Sequence, residues 1–156
     1  NMGDDVHYSG TVSAAFEAAI LGVPAIAISQ VIGEDFTFAH AGHFARLLAR
    51  RVLERGLPRG TLLNANVPPA APKGVRFTHL GKRTYTEGVV EDTDPRGRRC
   101  YWIGGGDPVW EDIPGTDFAT VGAGYISVTP LQLDMTDQTQ LADLQREAAA
   151  WRLDAT

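Results

Sequence analysis

The sequence predicts an α/β fold, read as the second half of a doubly wound parallel sheet, on three observations. Helical and strand-like patterns alternate from Ser9 to Val67. The run Ala25-Ile26-Ala27-Ile28-Ser29 is apolar on both faces, as suits a strand covered by helices on either side. Each pattern is cut off by Gly or Pro: Gly22-Val23-Pro24, then Gly56 with Pro58, then Pro68-Pro69.

The chain opens on a polar, glycine-punctuated loop that runs into Ser9-Gly10-Thr11. Val12, Phe16, Ala19, Ile20 and Val23 then recur at helical spacing and predict a first helix with that set as its apolar face. A second helix opens at Gly33-Glu34-Asp35 and shares one face among Phe44, Leu47, Leu48 and Val52. Thr61-Leu62-Leu63-Asn64-Ala65-Asn66-Val67 reads as the next strand, with Asn64 and Asn66 on one face by the two-residue period. Their first reading is hydrogen bonding to neighbouring loops. A place in a site is the second, because ligands collect at the carboxyl ends of such strands.

From Pro72 the character changes. Residues 75–80 alternate like a half-exposed strand, and residues 84–91 and 98–103 predict a long hairpin about Asp94-Pro95-Arg96-Gly97, whose composition favours a type I turn. Its exposed edge and the pair Tyr101-Trp102 need a cover, so an oligomer contact is expected. A loop rich in Gly, Pro and acid runs from Gly104 to Gly115. Thr116 or Asp117 caps a short helix over 117–121, residues 125–129 form a strand, and Thr136-Asp137 caps a last helix with Leu141, Leu144, Ala148 and Trp151 on one face.

Composition narrows the function. The 156 residues suffice for one domain with a core, and 44% of them are hydrophobic with no run approaching a membrane span. A net charge of -5 argues against a groove for a nucleic-acid duplex, though small anions need only a local cluster of donors. Cys100 is the only cysteine, which excludes an internal disulfide and suits a reducing cytoplasm.

The opening stretch Asn1-Met2-Gly3-Asp4-Asp5-Val6-His7-Tyr8-Ser9-Gly10-Thr11-Val12 resembles the SurE family of survival proteins, which are metal-dependent 5′-nucleotidases. In that family a Ser-Gly-x-Asn-x-Gly-x-Asn segment leads through a loop to Tyr/His-Ser-Gly-Thr-Val and a helix, and Asn1 matches the second Asn. The likeness continues in order through Gly22 to Ser29, Leu63-Asn64-Ala65-Asn66-Val67-Pro68, Asp94-Pro95-Arg96-Gly97, Tyr101-Trp102, Gly115-Thr116-Asp117-Phe118 and Gly124 to Leu131. It implies the second half of a Rossmann-like, SurE-type parallel sheet sandwich with a β-hairpin arm and a C-terminal helix. Residues 1–80 would be core, 81–130 the arm and return strand, and 131–156 a helix in an oligomer contact. It implies a homodimer or homotetramer acting on nucleoside 5′-monophosphates. It also implies a Mg or Mn ion whose ligands are expected in a first half that this chain lacks.

Bare amides in the first turn of a helix, with the positive end of its dipole, make a site for an anion. Ser9 adds a hydroxyl, Gly10 lets a ligand approach the backbone, and Thr11 offers another hydroxyl and N–H. Either Ser9 or Thr11 simply caps the helix or these groups hold phosphate, and one serine can do both. By the resemblance, Asn1, Ser9, Gly10 and Thr11 match a phosphate pocket, with Asn1 and Ser9 in catalytic roles. Asp4, Asp5 and His7 are not a ligand set, and His40 with His43 reads as surface, so no metal ligand is assigned in this chain. A phosphate-binding protein without catalysis is the alternative, and an oligomerisation module a third.

Overall fold

The computed structural model describes residues 1–34, 37–84, 89–103 and 109–151. The opening loop is wound into a 3₁₀ helix, Gly3–Tyr8, and Ser9 turns extended after it to start α1 (Gly10–Ile20). Ser9 Oγ accepts the Val12 N–H at 3.1 Å, so Ser9, rather than Thr11, is the cap. The buried face of α1 is Val12, Ala15 and Ala19 with Phe16 beside it. That corrects the expected face: Ile20 and Val23 are 63% and 55% exposed. The buried residues of β1 are Ala25 and Ala27, so the helix comes close on Ala15 and Ala19 beside Val12, and Ile20 is left facing outward.

That strand is β1 (Ala25–Gln30), which pairs in parallel with β2 (Thr61–Val67). Between them runs α2 (Ala39–Arg55), ended at Gly56 with a positive φ of 72°. It buries Ala41, Phe44 and Val52, while Leu47, expected inside, is exposed. It starts later than expected, and Asp35 lies outside the described residues. Alternation along β2 divides the molecule into layers. Leu62 packs with Val12, Ala15, Ala19 and the alanines of β1 under α1, while Ala65 and Val67 pack with Phe44 and Ala41 under α2.

The expected α/β class holds, in a four-stranded mixed sheet in which β1 and β2 are followed by β8 (Ile126–Gln132) and then β3 (Val75–Phe77). Strand β3 (Val75–Phe77) is shorter and more exposed than read from its alternation. Residues Arg83–Thr84 form β4, Val89–Thr93 β5, Arg99–Ile103 β6 and Val109–Trp110 β7. The expected hairpin is β5 with β6, closed by Gly97 N–H donating to the Asp94 carbonyl at 2.8 Å. Its first arm was read from Thr84, but Thr84 pairs instead with Val109 of β7, inside the stretch read as loop. Thr116 caps α3 (Asp117–Gly122), which delivers the chain to the carboxyl end of β2. Strand β8 (Ile126–Gln132) therefore runs back, antiparallel to β2 and parallel to β3. Pro130 is tolerated there because it points its nitrogen to the β3 side, past the last rung of that ladder. Asp137 caps α4 (Gln138–Glu147), which buries none of its residues.

Asp117 ties these parts together. It is wholly buried; one carboxylate oxygen accepts the Gly3 N–H at 2.8 Å, the other the N–H groups of Gly81 at 2.9 Å and Phe118 at 2.8 Å. Gly3 has φ +53°, and a Cβ there would sit 2.6 Å from the Gly81 carbonyl oxygen. Only glycine lets the opening loop come this close.

Asp117→Ala leaves buried donors on three segments without partners and is expected to lower unfolding free energy by ~3 kcal/mol or more, read from the urea midpoint. The hairpin should loosen in acid. The Thr93 N–H, then the Trp102 indole, hold Asp92 below the usual carboxylate value; the Arg98 N–H, then its side chain, do so for Asp94. Their contribution is complete above the ordinary carboxylate value and disappears as pH falls through the lowered ones, so hydrogen exchange in residues 89–103 should rise over that window.

Candidate functional site

A short link from Ile20 to Ala25 sends β1 back beneath α1, so the amino end of α1 lies at the carboxyl end of β1. Asn1 is fastened at the same place. Its side-chain amide donates to Ser29 Oγ at 2.6 Å, and its carbonyl accepts from the amides of Asn64 at 2.9 Å and Asn66 at 3.2 Å. The register sets Ser29 opposite Asn66, which explains how one residue reaches all three. The 3₁₀ turn then carries the chain from Asn1 to Ser9. Asn1 and the mouth of α1 thus share one end of the sheet.

The four residues proposed from sequence are placed differently. Ser9 is buried, at 7% exposure, and its oxygen is engaged as the cap, leaving its proton for donation. Gly10 and Thr11 are exposed, and nothing lies within 4 Å of where a Gly10 Cβ would be. Among the described residues no partner takes their N–H groups. The mouth is open. Asn1 keeps a second amide hydrogen and its oxygen for a ligand.

The acids of the opening loop face elsewhere. Asp5 pairs with Arg83 at 2.6 Å, and Asp4 accepts the Arg83 N–H at 3.2 Å. His40 and His43 lie on α2, and His79 has its ring nitrogen 3.1 Å from the Leu80 carbonyl oxygen. Among the described residues no group of three or more His, Cys, Asp or Glu could hold a metal ion. The Mg or Mn ion implied by the resemblance does not fit these residues as its ligand set.

Sequence reading passed over Asp117, seen only as a cap candidate, and gave the two asparagines no particular partner. The signal available was burial: an acid beside Gly and Thr at a helix start, and amides inside an apolar strand. Asn64 also carries a cost. Among the described residues its amide oxygen is buried without a partner, as is Ser127 Oγ two residues along the neighbouring register, and such an orphan costs ~1–3 kcal/mol.

A sheet covered by helices on both faces, with the amino end of α1 at the carboxyl end of β1, defines a doubly wound α/β domain, the class that collects ligands at that end. The chain belongs to the SurE family: the family model Survival protein SurE matches residues 1–87. It is 52% identical over 159 residues to 5′-nucleotidase SurE of Geobacter sulfurreducens, covering 99% of this chain and 59% of the relative. Against 5′-nucleotidase SurE of an Anaeromyxobacter species it is 52% identical over 147 residues, covering 93% and 58%. The SurE crystal structure from Aquifex aeolicus superposes with a TM-score of 0.75 at 38% identity, over 95% of this chain and 61% of that one. The chain thus spans about three-fifths of the length of the relatives it matches.

Ser9→Ala is expected to cost ~1 kcal/mol through the lost cap alone, while Ser9→Thr costs a few tenths. Thermal unfolding of the two variants side by side reads that difference.

Proposed function

We propose that this chain supplies the phosphate-holding wall of a 5′-nucleotidase that hydrolyses nucleoside 5′-monophosphates to nucleoside and inorganic phosphate. One observation carries the reading: the open mouth of α1 and the pinned amide of Asn1 lie together at the carboxyl end of β1 and β2. The relatives named 5′-nucleotidase SurE support the substrate class. In the reaction, water adds to phosphorus, the ester P–O bond breaks, and the nucleoside oxygen leaves with a proton. The Gly10 and Thr11 N–H groups and the Ser9 hydroxyl hold the non-bridging oxygens, where neutral donors follow charge as it develops. Asn1 orients the group from the opposite side. Ser9 is a holder and not a nucleophile, since no His or Lys side chain is paired with its hydroxyl among the described residues. A divalent ion, Mg or Mn, belongs to the proposal through the family.

A homo-oligomer is part of the same reading. Val89, Tyr101 and Trp102 of the hairpin and Leu144 of α4 are exposed, which supports a covered arm and helix. No helix among the described residues is long and apolar enough to cross a membrane. A cytoplasmic location is supported by the lone Cys100.

In the full-length protein, Ser9→Ala should lower turnover of nucleoside monophosphates by roughly tenfold or more with the circular dichroism spectrum retained. Unchanged kinetics would remove Ser9 from the site. Phosphate or vanadate binding without any turnover would favour a binding protein instead. Sedimentation should show more than one copy.

A further inference from the structure

The amide pair of β2 has a role that packing does not explain. Asn64 is wholly buried and Asn66 nearly so, and both side chains point to the same atom, the carbonyl oxygen of Asn1, at 2.9 and 3.2 Å. A carbonyl oxygen only accepts, so the NH₂ group of each amide must face it, and the two donors fill both lone pairs. For Asn64 this leaves the amide oxygen buried with no partner among the described residues. The orientation that serves Asn1 is thus the one that strands the other half of the side chain. A γ-branched apolar residue of the same outline would remove that orphan, while Asn66 alone would still satisfy the Asn1 carbonyl. Stability by itself therefore does not favour an amide at this position.

What the amides do hold is a direction. With its carbonyl fixed by β2 and its side chain tethered to Ser29, Asn1 has its main chain and its amide set together; two residues on, the Gly3 N–H is fixed by Asp117. We infer that Asn64, with Asn66, is a positioning residue that aims the Asn1 amide at the phosphoryl group. This rests on the nucleotidase reading of the site. A group that must stay aligned while charge moves gains more from a rigid support than from one additional contact.

The test uses the full-length enzyme with a nucleoside monophosphate and its divalent ion, comparing wild type with Asn64→Leu. The melting temperature should be unchanged or raised, kcat should fall roughly tenfold and KM should move little. Hydrogen exchange across residues 2–9 should rise without any global loss of protection. A purely structural asparagine would give the opposite pair: a lower melting temperature and an unchanged kcat. That result overturns the inference, as does unaltered exchange in residues 2–9. If leucine is too bulky to fold, Asn64→Ala and Asn66→Ala carry the same comparison, and their double variant should lose more turnover than either alone. Wild-type protein that hydrolyses no phosphomonoester would sink the nucleotidase reading and this inference with it. Wild-type turnover with undiminished kcat in the variants would sink the positioning role alone.

Discussion

The short backbone from Asn1 to Gly3 is held from two directions, and the site depends on that grip. The amides of β2 take the Asn1 carbonyl, and the Asp117 carboxylate takes the Gly3 N–H. The side chains of Asn64, Asn66 and Asp117 are buried, so leaving these groups without partners would be expensive. Between the two grips lies only Met2, whose carbonyl in turn accepts the Asp5 N–H at 3.2 Å. The 3₁₀ turn that follows therefore leaves the sheet at a set place and reaches Ser9 with little slack. A loop that would otherwise wander over the sheet end becomes a strut between a strand amide and a helix cap.

The exposed ion pairs do much less. Arg50 with Glu54 on α2 and Arg98 with Asp94 at the hairpin turn lie in solvent, where such pairs contribute a few tenths of a kcal/mol. The Arg83–Asp5 pair is different: both side chains are about three-quarters covered, and Asp4 takes the same arginine's backbone N–H. It fastens β4 to the opening turn from outside while Asp117 does so from within. Two acids that could be mistaken for metal ligands are thus used to hold the turn down.

The division between core and periphery follows from how much apolar surface each part can cover. The layers over β1 and β2 bury Val12, Leu62, Val67 and Val128 completely. The hairpin and α4 leave their large apolar side chains in the open, and α4 has no buried residue of its own. Two strands, or one amphipathic helix, do not cover themselves. Those parts are consistent with the oligomer proposed for the family fold, and the candidate site stands on the layered α1–β1–β2 part instead.

Much of this was legible in the residues alone. Period and punctuation placed α1, β1, α2 and β2, because an apolar pattern cut by Gly and Pro reports secondary structure through short-range sterics. The bounds of β2 came out to the residue, and Ser9 was available as a cap because its chemistry is local. The antiparallel return of β8 was beyond that reading, since strand direction depends on where α3 hands over the chain. So were the pairing of Thr84 with Val109, the outward turn of Ile20, and the meeting of Asn64, Asn66 and Asp117 around the first three residues. Partners separated by 63, 65 and 114 positions leave no trace in local pattern. Sequence chose the donors and acceptors; folding the sheet against α1 and α3 decided which of them meet, because a polar group carried inside gains a partner only where the fold has brought one within reach.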